Sequence, residues 1–129
     1  MPIVTDLAPC PQTPNCVSTE SADPARRIEP IPYSASLAVA RARLLEVLQA
    51  TPGATVRQAA PDRLEVEFRT RLLRFVDDAV FVFDEQEKRI RFRSASRVGH
   101  WDLGTNRRRM EGIRRSFLGA KKGKGKPSP

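Results

Sequence analysis

From residue 34 onward the apolar positions follow two rhythms, one helical and one of period two. Between residues 34 and 50, Leu37, Ala40, Leu44, Val47 and Leu48 recur at spacings of three and four, while Arg41, Arg43 and Glu46 occupy the remaining surface. That spacing predicts an amphipathic helix whose apolar side covers a sheet. Ser34 or Ser36 is placed to cap its start, because a hydroxyl accepts from the free amides of the first turn. Thr51-Pro52-Gly53 ends it.

The period then falls to two. Residues 55–59 predict a short strand, and Ala60-Pro61-Asp62 a turn. Residues 63–72 place Leu64, Val66, Phe68 and Leu72 on one side and Arg63, Glu65, Glu67, Arg69 and Arg71 on the other. This is the pattern of a half-buried antiparallel strand with one wet face. Residues 79–83 are apolar on both faces and suit a central position. After the polar turn 84–87, residues 88–98 alternate again, with Ile90, Phe92, Ser94, Ser96 and Val98 opposed to Arg89, Arg91, Arg93 and Arg97.

A last helix is predicted from Gly104 or Thr105 to Leu118, with Met110, Ile113 and Phe117 as its apolar stripe and Gly119 as its stop. Gly112 in its middle costs about 1 kcal/mol relative to alanine, which implies close packing against the sheet. The order α-β-β-β-β-α predicts an α+β fold. Its simplest form is a two-layer sandwich, a four-stranded antiparallel sheet with two helices on one face. This single domain is expected to span residues 34–119. Residues 1–33 carry seven prolines and no period, and read as a Pro-rich N-terminal arm laid on the domain or left loose.

Length and charge refine this picture without changing it. A chain of 129 residues supports one core without metal or disulfide help. Hydrophobic content of 40% and charged content of 29% are ordinary for a globular protein. No window reaches the roughly 18 uninterrupted apolar residues of a membrane span, so no transmembrane segment is expected. The first residues show no basic and apolar leader, so the default expectation is cytoplasmic, with a membrane-peripheral or exported location left open. About half of the net charge of +8 comes from Lys121, Lys122, Lys124 and Lys126. Residues 120–129 are therefore expected to be a disordered basic tail, with weak contact to nucleic acid or anionic lipid as the functional alternative.

The candidate chemistry lies where the arginines gather. Arg89, Arg91, Arg93 and Arg97 share one strand face, with Arg69 and Arg71 on the corresponding face of another. Like charges on a sheet repel, so carboxylates from Glu65, Glu67 and one of Asp77 or Asp78, or an anionic ligand, are expected between them. Consecutive strand residues point to opposite faces, so only one aspartate of the pair can do this. The other must be satisfied near the helices by a backbone amide, by Ser94 or Ser96, or by water.

The segment from Gly99 to Arg107 turns the last strand into the last helix, and Gly99 and Gly104 suggest positive φ or close backbone approach. A helix N-terminus favours an anion. Asp102 can fill that place as an internal cap. Alternatively, Arg97 and Arg107 can join the amides in holding an external carboxylate or phosphate.

No catalytic residue, cofactor or metal is assigned. His100 is the only histidine and reads as a packing or surface residue beside Trp101. No nucleophile elbow surrounds Ser94 or Ser96, and no phosphate loop, dinucleotide fingerprint or metal-ligand pair is present. Cys10 and Cys16, six apart, do not make a zinc site. They form a disulfide, worth about 2.4 kcal/mol on the loop-entropy model, or stay reduced in a cytosol as inert thiols, with a redox or ligand role as the alternative.

Three stretches together carry a resemblance. They are Pro9-Cys10-Pro-x-x-Pro14-Asn15-Cys16-Val17-Ser18, then Phe75-Val76-Asp77-Asp78, then Arg93-Ser94-Ala95-Ser96-Arg97-Val98-Gly99-x-x-Asp102-Leu103-Gly104-x-Asn106-Arg107-x-Arg109. They resemble the bacterial and plant family called domain of unknown function 1499, over nearly the whole chain. Where that family usually shows an aromatic, this chain has His100. The family name supplies no activity. The resemblance implies that the cysteine pair, the aspartate pair and the Arg/Asp/Asn corner belong to one pattern.

The functional expectation is a non-enzymatic binding or scaffold domain. In it Asp77, Asp78, Arg93, Ser94, Ser96, Arg97, Asp102, Asn106 and Arg107 shape a polar site for an anionic small molecule or a partner's carboxylate. One alternative is an enzyme using Asp77 or Asp78 as general base with Arg97 and Arg107 as clamp. The other is nucleic-acid or anionic-membrane association through the basic face and tail, against which stands the lack of exposed strand aromatics on which bases would stack.

Overall fold

The period-two stretches form an antiparallel meander. In the computed structural model, which describes residues 7–11, 15–70, 75–97 and 104–119, the meander strands are β3 (Ala54–Ala60), β4 (Arg63–Arg69), β5 (Val76–Asp84) and β6 (Arg89–Ser96). Helix α1 (Leu37–Gln49) precedes them and α2 (Thr105–Leu118) follows. The fold is α+β, as the patterning predicts.

The sheet has six strands rather than four. Two short strands from the Pro-rich arm, β1 (Cys16–Ser18) and β2 (Ile31–Pro32), both pair antiparallel with the outer edge of β6. The chain order is therefore β-β-α-β-β-β-β-α, which corrects the α-β-β-β-β-α expectation. The reason is length: strands of three and two residues are too short to display an alternation. Pro32 is tolerated because β2 lies at an edge, where a missing amide breaks no interior ladder. The two pieces cover an edge that would otherwise offer unpaired backbone groups.

One face of the sheet carries the core. Leu64, Val66, Phe68, Ala79, Phe81, Phe83, Ile90 and Phe92 join Ala40, Leu44 and Leu48 of α1 and Met110, Ile113 and Phe117 of α2 in a single buried cluster. The arm adds Val17, Ile28, Ile31 and Tyr33 to the same cluster. Strand β5 begins at Val76, ahead of its apolar run, because both aspartates stay in the ladder. Asp77 faces Ser96 on one side and Phe68 on the other, and Asp78 faces Ala95 and Glu67.

Local signals set the helix ends. Ser36 Oγ accepts from the Val39 amide at 3.2 Å, fixing the start of α1. Gly53 takes φ +80, and a Cβ there would lie 2.3 Å from the Arg69 carbonyl oxygen. The turn from α1 into β3 thus admits only glycine. Gly119, at φ 74, ends α2.

The close packing expected at Gly112 is not found. Among the described residues a Cβ there would meet only Arg115 Nη2, at 3.8 Å, so the strands of the sheet do not approach it. No helix among the described residues is long and apolar enough to cross a membrane.

Candidate functional site

Alternation along β5 and β6 sends the predicted polar residues to two faces of the sheet. On the inner face β5 contributes Asp77, which is 2% exposed. Helix α2 brings Arg109 over it, with Nη1 donating to Asp77 Oδ2 at 2.7 Å. The same guanidinium stacks on Phe68, 4.7 Å from the ring centroid. The inner aspartate is therefore satisfied by a cation, not by the amide, hydroxyl or water that strand alternation alone suggested. Arg109 was not among the expected site residues, although it closes the third stretch quoted above.

Beside this pair sits Asn106, fully buried one turn ahead of Met110 on the packed stripe of α2. Ser94 Oγ donates to its Oδ1 at 2.5 Å. Its Nδ2 donates to Ser96 Oγ at 3.1 Å and to the Asn15 carbonyl at 3.3 Å. One amide thus ties α2, β6 and the residue leading into β1, with both of its ends satisfied.

The outer face holds the ion pairs. Arg97 donates through Nε and Nη2 to the two oxygens of Asp78, at 3.0 and 2.7 Å, and through Nη2 to Glu67 at 3.0 Å. These hydrogen bonds, Asp78 first, hold the Arg97 pKa above its ordinary value. Burial works to lower the pKa of Arg91, but Glu20 and Asp84, at 3.2 and 3.1 Å, outweigh it and the net shift is upward. Carboxylates do interleave with the arginines, as charge repulsion requires. Two of them lie outside the predicted strands: Glu20 comes from a turn, and Asp84 ends β5 on the same face as Asp78.

Arg93 differs from both neighbours. It donates to the Pro9 carbonyl at 3.4 Å, and its Nε is buried with no hydrogen-bond partner among the described residues. Burial lowers its pKa against the attraction of Asp78. Pro9 is held there beside the Cys10–Cys16 disulfide. Reduction is expected to cost about 2.4 kcal/mol of stability. Urea unfolding followed by circular dichroism, with and without a phosphine reductant, measures this directly. A loss below about 0.5 kcal/mol would mean that the loop is held as well without its bond.

Arg107 lies in a third place. Its Nη2 donates to the Ala25 and Arg27 carbonyls at 3.1 and 2.8 Å, and Nη1 lies 3.6 Å from Glu111. Arg114 Nε donates to the Pro30 carbonyl at 3.1 Å. With Arg27, Glu29 and Arg115 these side chains line an open groove of about 270 Å³ between α2 and the segment joining β1 to β2.

The nine expected binding residues are thus divided. Asp77, Ser94, Ser96 and Asn106 meet on the inner face. Asp78 and Arg97 pair on the outer face, where Arg93 also lies, and Arg107 stands apart in the groove. Asp102 lies outside the described residues, as do Gly99, His100, Trp101 and the lysines from Lys121 onward. Among the described residues no group of three or more His, Cys, Asp or Glu side chains is arranged to hold a metal.

The family model described as "Protein of unknown function (DUF1499)" matches residues 6–117, every strand and all but the last residue of α2. No curated protein matches the chain. On the strength of a match over most of its length, the chain belongs to the DUF1499 family.

Proposed function

We propose that this is a small non-enzymatic anion-recognition domain whose working surface is the groove beside Arg107. The observation that carries this reading is an imbalance of charge in that groove. Arg107 and Arg114 are oriented largely by neutral backbone carbonyls, which fix a guanidinium without cancelling its charge. Arg27 and Arg115 make no ion pair among the described residues. Four guanidinium groups therefore face two carboxylates, Glu29 and Glu111, in a concavity open to solvent. Planar, pre-oriented guanidinium forks suit carboxylate and phosphate oxygens.

The remaining expected site residues support the fold in this reading, since Asp77, Asp78, Arg97 and Asn106 already have internal partners. The enzymatic alternative has less behind it. Asp77 and Asp78 point to opposite faces, and neither pairs with Arg107.

Titration with inorganic pyrophosphate, followed by NMR of the arginine Nε–H groups and by calorimetry, tests the groove. Expected are saturable shifts at Arg27, Arg107 and Arg114, and about tenfold weaker binding in Arg27→Gln and in Arg114→Gln. Replacing Lys121, Lys122, Lys124 and Lys126 by glutamine should leave affinity unchanged. Loss of binding in that variant, with a steep salt dependence, would transfer the activity to the tail and favour a polyanion or lipid surface. Absence of saturable binding would end the reading.

A further inference from the structure

A row of outward positions crosses the sheet from β4 to β1 as Glu67, Asp78, Ala95 and Cys16. Cys16, at its end, is 1% exposed and is bonded to Cys10, which is half-buried. Two residues to either side of Ala95 stand Arg93 and Arg97, on the same face.

The charges on this face nearly cancel. Arg97 holds Asp78 and Glu67, and Glu67 also lies 3.7 Å from Arg57. Arg93 is the surplus. Among the described residues it makes no ion pair, its hydrogen bond goes to the neutral carbonyl of Pro9, next in the chain to Cys10, and its Nε has no partner. Arg93 pairs with Ser18 across the strands, so Cys16 is its diagonal neighbour, about 7–8 Å away and within reach of a long side chain. A desolvated guanidinium is thus set beside a sulfur–sulfur bond. The intact bond is neutral and gives that charge nothing, whereas its cleavage produces an anion.

We infer that Cys10–Cys16 is a thiol–disulfide exchange site, at which Arg93 is the counter-charge for the thiolate released from Cys16. The thiolate of an external dithiol attacks Cys10 Sγ, the more open sulfur. The Cys10–Cys16 bond breaks, and its electron pair leaves on Cys16 Sγ. The second thiol of the same reductant then displaces Cys10. The dithiol ends as a disulfide and the protein is reduced by two electrons, with one proton on Cys10 and the other in solvent while Cys16 stays ionised. Without Arg93 a thiolate at so buried a position is disfavoured, and cleavage is slow. A disulfide that served only as a staple would need no such cation.

The test reduces the folded, oxidised full chain with dithiothreitol at neutral pH, followed by alkylation and peptide mass spectrometry. Expected is reduction without unfolding and, with glutathione as a single-thiol probe, a mixed disulfide on Cys10 while Cys16 is alkylated. Arg93→Gln should slow reduction about tenfold, because the leaving thiolate becomes more basic. It should also raise the pKa of the Cys16 thiol in the reduced protein, read from thiolate ultraviolet absorbance. Arg93→Lys should keep most of the rate. Asp78→Asn, which removes a carboxylate and frees Arg97, should speed reduction severalfold. Local damage cannot imitate the slowing, since a loosened loop exposes the bond and is reduced faster. An unchanged or faster rate in Arg93→Gln would overturn the inference. So would glutathione carried on Cys16, or reduction of the wild-type chain only at its rate of global unfolding, a result that needs no variant to fold.

Discussion

Asp77→Ala is expected to destabilise the protein by about 3–5 kcal/mol, the range for removing one partner of a buried ion pair. The carboxylate side chain is 3% exposed and that of Arg109 14%. Alanine would leave the Arg109 guanidinium under α2 and against Phe68 with its counter-charge gone and little water to replace it. Asp77→Asn should cost less, because the amide oxygen still accepts one hydrogen bond. The informative variant is the double replacement Asp77→Val with Arg109→Met, which removes both charges and keeps the volume filled. It should regain most of the loss, since paired burial of charge contributes little net stability once its desolvation is counted. Urea unfolding followed by circular dichroism, with an unchanged denaturant slope, measures each step. A cost below 1 kcal/mol for Asp77→Ala would show that the pair is solvated in solution and does not clamp α2 to the sheet.

That pair also shows where sequence patterning stops. The rule that consecutive strand residues point to opposite faces is enough to send Asp77 and Asp78 apart. It could not say which cation would meet the inner one, because that depends on how α2 is rotated over the sheet. Arg109 is one of three consecutive arginines, and only the packing of Met110 beside it selects which of them turns inward. Strands β4 and β6 and both helices are legible because each repeats its period over seven or more residues, whereas β3 and β5 are legible only as short runs between turns. Strands β1 and β2 were not, because Cys16–Ser18 and Ile31–Pro32 contain no full repeat and are held in place by the edge of β6.

The expected site fared in the same way. Its members come from the start of β5 and from the stretch 93–107, and the alternation along β5 and β6 divides them between two faces. Proximity in sequence along a strand is therefore poor support for a shared site, whereas positions two apart are true neighbours. Gly112 carries the complementary lesson. A mid-helix glycine suggests close packing, but among the described residues a Cβ there would meet only Arg115 Nη2 at 3.8 Å, a difference set by helix placement rather than by helix sequence.

Asn106→Leu is expected to cost about 3 kcal/mol although the replacement is similar in size and more apolar. The side chain is fully buried, and its two ends receive and donate three hydrogen bonds, to Ser94, Ser96 and Asn15. Leucine strands the Ser94 hydroxyl, which is itself fully buried and can turn to no water. An unsatisfied buried donor costs about 1–3 kcal/mol, and the lost bonds from Nδ2 add to it. The Asn15 carbonyl suffers less, because it also accepts from the Ser96 amide at 3.0 Å. The penalty therefore concentrates at Ser94. Combining Asn106→Leu with Ser94→Ala should return at least 1 kcal/mol, and a double-mutant cycle isolates that coupling. If the two replacements prove additive, the hydroxyl and the amide do not depend on each other, and the join of α2 to the sheet rests on the apolar stripe and the Asp77–Arg109 pair.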